Sequence, residues 1–546
     1  MTPHSRTALA CEDAGWYDRG MPAPSQTASS QTSPARRSAK LPLLCATIAV
    51  LLFAVRFASQ SRIDLGLQDE GFLWYGAQAV LRGDVPLVDF RSYDPGRYYA
   101  SAAMMAAFGD GIVAMRAALS VVGAFGLFLG LLAATRATSC RWVLLLVGLI
   151  LMAWMQPRWK VFEPTFAMGS VWLGVRLVER ASRGRALAAG LWIGIAAVFG
   201  RNLGVYAGLG LFAVLLYEAW KLRTPGLVSR LGSLALGVLA GYLPMLAMMA
   251  FVPGFFDAFV DGLTTQVESG RANLARGAPL PWSVDYTGAT ALESVQLFLT
   301  GVAFLLLPIV YVGGLVLTLR APRAALERSA LLPCAVLVGT VFAHHVSVRS
   351  DLFHLAQCYA PLLLACFALP RLLREGKQTW PIVGIALGFG ILTLTSITQE
   401  TPWVRRAAAA RAGSPYVTRA VAGDELALSV RMAEIATRVP AVVDQLVPAD
   451  EALFIAPHRP ALYPMLGRPA PTWDTYLSEP ASDAHQERML RELADVRWAL
   501  THRVPPGPGN QLGLPASNPR VWALLQEEFE RVDAPLPNGH FLWRRR

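Results

Sequence analysis

A polytopic α-helical membrane protein, with about eleven spanning helices and a small α/β domain after them, is the fold class this sequence predicts. Three observations lead there. Of the 546 residues, 54% are hydrophobic and 16% charged, with a mean hydropathy of +0.40, far from the averages of soluble domains. Apolar runs near the length needed to cross a bilayer recur along most of the chain. Beyond residue 398 that pattern stops, prolines multiply, and short apolar runs alternate with amphipathic stretches.

The apolar runs fall at about 41–58, 112–134, 142–156, 164–179, 186–200, 203–220, 230–252, 295–319, 329–346, 354–370 and 379–397. The fifth and sixth are separated only at Arg201-Asn202. Short loops rich in Lys and Arg face the cytoplasm, and every second loop here is of that kind. They carry Arg36, Arg37 and Lys40; Arg136 and Arg141; Arg180, Arg183 and Arg185; Lys221, Arg223 and Arg230; Arg320, Arg323 and Arg328; and Arg371, Arg374 and Lys377. The expectation is an N-in, C-out chain, with Asp69, Glu163, Asp257, Arg349 and everything after residue 397 on the extracytoplasmic face.

The net charge of +11 and pI near 9.6 are explained by this topology and by anionic lipid, so the bilayer is the expected partner and nucleic acid is not. Residues 1–40, rich in Ser, Thr, Pro and Ala, read as a disordered cytoplasmic tail. That leader is too long for a signal peptide, so the first span is expected to be an uncleaved anchor. The six cysteines lie in the tail or in and beside the spans and suggest no disulfide framework. No CxxC, HExxH or other close ligand cluster indicates a metal site or any cofactor, and a divalent ion stays open.

Residues 399–546 read as a soluble domain with a helix over about 419–447, buried strands at 452–456 and 496–500, and helices near 483–494 and 518–531. No Gly-rich phosphate loop or nucleophile elbow occurs in it.

The segment richest in chemistry is the loop 59–110 that follows the first span. Asp69 and Glu70 stand side by side near its start, and carboxylates so close to a membrane are costly to bury unpaired. Phe72, Trp74 and Tyr75 suit a helix in the interface, and Asp84, Asp89, Asp94 and the turn Pro95-Gly96 follow. A solvated loop with an amphipathic helix would look similar.

Cations gather at other outer edges. His344 to His354 holds three of the eight histidines, with Arg349 and Asp351 between them. Read functionally, Arg349, His354 and His345 bind a phosphate or sugar and Asp351 orients them; read plainly, Asp351 pairs with Arg349 in a polar turn. Arg158 and Lys160, followed by Glu163, are a second cationic spot that snorkelling would also explain. Arg201 between two short spans suggests a pocket or a turn. Tyr93, Asp94 and Glu163 are expected on the acceptor side or in the framing loop, and the long loop 253–294 is positioned to cover the site.

Asp69-Glu70, the aromatic helix, Gly83-Asp84, Pro86, Asp89-Phe90 and Pro95-Gly96-Arg97-Tyr98-Tyr99 together resemble the first external loop of GT-C superfamily glycosyltransferases. The likeness is to bacterial relatives of protein O-mannosyltransferases and of the lipid A aminoarabinose transferase. In the C-terminal domain, Phe454-Ile455-Ala456-Pro457, Tyr463 and Gly467-Arg468-Pro469-Ala470-Pro471-Thr472 resemble a run in related enzymes, with Ala470 where a polar residue is expected. The resemblance implies inverting transfer of a sugar from a polyprenyl-phosphate donor to a glycan, lipid or protein acceptor outside the cytoplasm, in a bacterial inner membrane. It also implies that Asp69 is the catalytic acid residue, supported by Glu70. A general base must take the acceptor's proton, and fixed cations must meet the charge developing on the leaving phosphate. The alternatives are a transporter or flippase for a lipid-linked glycan, or a non-catalytic assembly partner.

Overall fold

All eleven apolar segments are helical in the computed structural model, which describes residues 34–268, 277–373, 378–477, 479–504 and 513–546. Most of the expected tail, together with Arg271, Arg276, Arg374 and Lys377, lies outside the described residues. Length and composition separate the helices into two groups. Seven of the described helices are long and apolar enough to cross a membrane: Lys40–Gln60, Ile112–Ala134, Arg201–Leu222, Leu227–Phe251, Ala291–Arg320, Leu352–Leu373 and Thr379–Glu400. The chain is therefore a multi-pass membrane protein, but the count of eleven full spans is not reached.

The shortfall has local causes. Arg141–Ala153 and Arg158–Glu179 meet at a bend of 105°. Pro157 stands in the break, where a residue without a backbone N–H cannot continue the helical ladder. Arg183–Phe199 is 17 residues long, and the run after residue 329 is divided into Leu331–Phe342 and His344–Val348. Short helices of this kind are tolerated because neighbours surround them. The helix Leu352–Leu373 has 72% of its apolar window buried and packs against Leu331–Phe342 and Phe162–Glu179. Trp154 stacks on Tyr359 at 3.9 Å and donates from Nε1 to Thr393 Oγ1 at 2.8 Å.

Arg183–Phe199 packs along Leu227–Phe251 through two small-residue pairs, Gly190/Gly194 and Gly237/Gly241, each one turn apart. A Cβ on Gly194 would lie 2.4 Å from Val238 O, and one on Gly241 2.3 Å from Leu191 O. The backbones touch, which is how helices associate when surrounding lipid is as apolar as their side chains.

Basic residues mark one end of the bundle, where Arg136 pairs with Glu179 at 2.6 Å and Arg371 donates to Ala137 O at 2.6 Å. Of the described cysteines, Cys45, Cys334, Cys358 and Cys366 are free thiols and Cys140 is disulfide-bonded, a single bond where no disulfide framework was expected.

Residues beyond the last long helix form a hairpin, β1 (Val417–Val421) and β2 (Asp424–Leu428), and a second sheet of β3 (Leu453–Ala456), β4 (Trp498–His502), β5 (Phe529–Val532) and β6 (His540–Arg545). The second sheet has the order β3-β4-β6-β5, with β3 and β4 parallel and the other pairs antiparallel. The hairpin corrects the single helix expected over 419–447. Ala422 and Gly423 turn the chain with φ of 45° and 85°, and the helix Val430–Leu446 starts only after Ser429, whose side chain accepts from Met432 N. The helix expected at 518–531 likewise ends at Glu528 and gives way to β5.

The hairpin is tied to the membrane part. Asp64 N donates to Ala427 O at 2.9 Å, Ala427 N donates to Arg62 O at 2.8 Å, and Asp424 Oδ2 accepts from Val113 N at 2.9 Å. A carboxylate from the C-terminal region thus caps the helix Ile112–Ala134, where the aligned peptide dipoles favour negative charge.

Replacing Gly194 or Gly241 by Leu is expected to force the two helices apart at a cost of about 1–3 kcal/mol, read as a lower melting temperature of the detergent-purified protein than that of the matching Gly232→Leu control, where a Cβ meets nothing within 4 Å.

Candidate active site

The segment from Ser61 to Gly111 folds onto the bundle as two helices, Asp69–Arg82 and Gly96–Phe108. Gly83, at φ 101°, ends the first of them. Gly76 lets the helices approach closely, since a Cβ there would lie 2.3 Å from the Tyr98 ring. Phe72, Trp74 and Tyr75 are buried, not spread in an interface, because Tyr93, Tyr98, Tyr463 and Tyr476 pack around Phe72 and Tyr75.

The two adjacent acids point to different surroundings. Glu70 is fully buried (0% exposed). Its carboxylate takes Arg116 Nε at 2.8 Å and Arg158 Nε at 2.7 Å on Oε1, and Arg116 Nη2 at 2.9 Å, Arg158 Nη2 at 3.1 Å and Gly66 N at 2.9 Å on Oε2. Burial pushes this carboxyl up, but the two guanidiniums outweigh it and hold it well below the usual range. The remaining donors of the arginines go to Ser61 O, Gln60 O, Ile63 O and Asp64 O. Arg158, expected to hold a donor phosphate, is therefore a strut of the loop, and Glu70 is its counter-charge. Arg116, inside an apolar run, gave no signal in the sequence beyond its being a charge one turn into a span.

Asp69 is half-buried and lines a cavity of about 380 Å³. Its Oδ1 accepts from Tyr476 Oη at 2.7 Å, and Oδ2 receives no hydrogen bond from the described residues. Burial pushes the Tyr476 phenol well above its ordinary value and the Asp69 charge pushes it further, so the phenol stays a neutral donor. Tyr476 comes from the C-terminal region, 407 positions away, and no local pattern marks it.

Lys160 stands over the Tyr93 ring at 5.1 Å, with Nζ 3.5 Å from Tyr93 Oη, and Asp69 and Glu163 lie within its electrostatic reach. Glu163 pairs with Arg97 at 2.9 Å, while Arg97 Nε donates to Phe199 O at 2.7 Å. Asp94 takes Arg201 Nε at 2.9 Å on Oδ1 and Arg201 N at 2.7 Å on Oδ2. Arg201, Asp94 and Glu163 are thus engaged in local ion pairs that join the loop to the helix ends, while Arg201 Nη1 and Glu163 Oε2 are buried without a hydrogen-bond partner among the described residues. Of the expected cations here, Lys160 is left without a close carboxylate among the described residues.

Arg349 pairs with Asp351 at 2.8 Å, and Asp351 Oδ1 meets both His354 N and Nδ1, at 2.9 and 2.8 Å. Burial raises the Asp351 carboxyl, but His354 and Arg349 outweigh it and hold it at about 2. His345 stacks on His354 with centroids 5.4 Å apart and meets Gln357 Oε1 at 2.8 Å. Glu163 and Lys160 act electrostatically on His345, so this cluster borders the Asp69 region. Among the described residues no group of His, Cys, Asp or Glu is arranged to hold a metal ion.

The C-terminal sheet closes the site from the other side. Arg91 binds Asp474 at 2.9 Å and Glu479 at 3.1 Å, and Trp473 Nε1 donates to Leu87 O at 3.0 Å. Ala470 N donates to Tyr75 Oη at 3.2 Å. Ala470, where the resemblance led to the expectation of a polar residue, thus touches the loop helix through its backbone N–H. His458, His502 and His540 are buried together beneath this junction.

No family model and no curated protein sequence matches the chain. Solved structures are similar to it, among them two crystal structures of one protein. ArnT from Cupriavidus metallidurans bound to undecaprenyl phosphate is 16% identical, with 92% of this chain and 97% of that one covered and a TM-score of 0.42. The apo state of the same protein gives 15% identity, 94% and 98% coverage and a TM-score of 0.43. Likeness at this level carries no argument about activity, which is taken below from the residues.

Two outcomes are expected. Glu70→Gln leaves two buried guanidiniums without a counter-charge, at a cost of roughly 3–5 kcal/mol, so this variant should lose most of its monodisperse fraction in detergent while Asp69→Asn keeps it. Burial, then Arg459, holds His540 down at about 4, and burial, then Arg459, holds His502 at about 2. Both therefore favour the neutral imidazole in the folded state. Their stabilisation is complete above the unfolded value of ~6.5 and is lost as pH falls towards the folded values. The melting temperature should decline below about pH 6.5, with a shallower decline in His540→Asn.

Proposed function

We propose that the protein is a glycosyltransferase of GT-C type that moves a sugar from a polyprenyl-phosphate donor to an acceptor, with Asp69 as the general base. The observation that carries this reading is Asp69 itself. It is a half-buried carboxylate at a cavity, one oxygen is fixed by a neutral phenol, and the other is unclaimed by the described residues. Such an oxygen can accept the proton of an attacking hydroxyl or amine. Tyr476 holds the carboxylate in one orientation and leaves the syn and anti positions of Oδ2 for the acceptor.

In the proposed step the acceptor's O–H or N–H gives its proton to Asp69 while its lone pair attacks the anomeric carbon. The bond from that carbon to the phosphate oxygen breaks, and the lipid phosphate leaves with the electron pair. Lys160, which has no close carboxylate partner, and Arg349 are the cations assigned to the phosphate. His354 and His345 border the sugar, and Asp351 orients Arg349 and His354. Tyr93 carries Lys160 on its ring face. Glu70, Arg116 and Arg158 act only by positioning the helix that presents Asp69.

The basic end of the bundle supports an N-in arrangement in an inner membrane, with Asp69 and residues 399–546 extracytoplasmic. The inverting outcome, the sugar and the glycan, lipid or protein acceptor belong to this proposal as well. In transfer assays with synthetic polyprenyl-phosphate sugars, Asp69→Asn should lower kcat by ~10²–10⁴. Tyr476→Phe should lower it less, and Lys160→Ala should act mainly on the donor KM. Turnover with no donor, together with unchanged cellular function of Asp69→Asn, would favour a transporter or an assembly partner.

A further inference from the structure

The cavity beside Asp69 has a second wall made by the C-terminal region. Arg431, at the start of the helix Val430–Leu446, and Arg459, just after β3, both line it, together with Trp159 from the bend between the two halves of the broken span. On this face of the molecule other arginines are matched with acids: Arg91 with Asp474, Arg97 with Glu163, Arg116 and Arg158 with Glu70, and Arg201 with Asp94. Arg431 and Arg459 are not. Among the described residues neither forms an ion pair, and Arg459 meets only the neutral ring nitrogen of His540. The two guanidiniums also feel each other, since burial first and the charge of Arg431 second pull Arg459 down to about 10.

Trp159 Nε1 is buried behind this wall and has no hydrogen-bond partner among the described residues. Among the described residues lining the cavity, two guanidiniums stand without an ion pair and Asp69 is the one carboxylate. Neither guanidinium is ion-paired among the described residues, so an anionic oxygen group entering the cavity can pair with both. Arginine suits such a group because its planar fork meets two oxygens at once.

We propose that Arg431 and Arg459 form an anion subsite beside Asp69, which binds a phosphate or carboxylate group of the molecule occupying the cavity. Under the glycosyltransferase reading, on which this assignment of a substrate class rests, the anion belongs either to the lipid carrier or to an acidic acceptor. A subsite on the C-terminal domain also gives that domain a role at the reacting centre beyond orienting Asp69 through Tyr476.

The test is binding without turnover. Full-length protein in detergent is titrated with inorganic phosphate at constant ionic strength set by chloride, and the rise in melting temperature is followed. Wild type should show a saturable rise. Arg431→Gln, an exposed position at which the fold should be unaffected, should weaken the apparent affinity by about tenfold, as loss of one charge-assisted pair implies; Arg459→Gln provides a second variant. Undecaprenyl phosphate binding in nanodiscs then separates the sources. If Arg431→Gln weakens it by a similar factor, the subsite takes the carrier phosphate. If it leaves that binding intact while inorganic phosphate binding is lost, the subsite takes an acceptor's acidic group. No phosphate-specific shift in wild type, or an equal shift in both Gln variants, overturns the subsite. An Asp69→Asn protein with full transfer activity would overturn the catalytic reading instead, without altering phosphate binding.

Discussion

Glu70 between Arg116 and Arg158 is the interaction on which the rest of the site depends. A carboxylate with no exposure and five donors holds together the end of the first long helix, the start of the helix Ile112–Ala134 and the bend of the broken span. Each charge alone would be too costly to bury, and each is tolerated only because the others are present. The arginines use their remaining donors on carbonyls of residues 60–64, so the chain leading to Asp69 is fixed on both sides. Asp69 follows from that anchor: it is the neighbour of a residue that cannot move.

A second layer of pairs widens the platform. Asp94 with Arg201, Glu163 with Arg97 and Asp351 with Arg349 and His354 each close a loop against a helix end. Among the described residues they neutralise most of the charge near the cavity and leave Lys160, Arg431 and Arg459 as cations without close acids, while Arg349 keeps the acid that orients it.

The C-terminal region is integral to this arrangement. Its hairpin extends the loop at Arg62–Asp64, Asp424 caps a long helix, Tyr476 holds Asp69, and Arg91 binds Asp474 and Glu479. Of the three buried histidines beneath the junction, His502 and His540 couple its packing to pH. A domain that looks separate in composition is thus joined to the membrane part by hydrogen bonds at several points, among them the residue assigned the chemistry.

By itself the sequence determined the helical, multi-pass class, the position of every apolar helix and the segment that carries Asp69, because hydropathy and helix length depend on composition over local windows. The glycine pairs at 190/194 and 237/241 are legible in the same way, as small residues four apart in apolar runs. Tertiary structure decided which of two adjacent acids is an anchor and which faces a cavity, that Arg158 and Arg201 are held by acids while Lys160 is not, and that residues 417–428 form a hairpin. It also brought in Arg116, Tyr476, Arg431 and Arg459. For the charged groups the physical reason is shared: the role of a charge is set by the partner within hydrogen-bond reach, and partners such as Arg116, Arg158 and Tyr476 lie from tens to hundreds of residues away, where no local pattern records them.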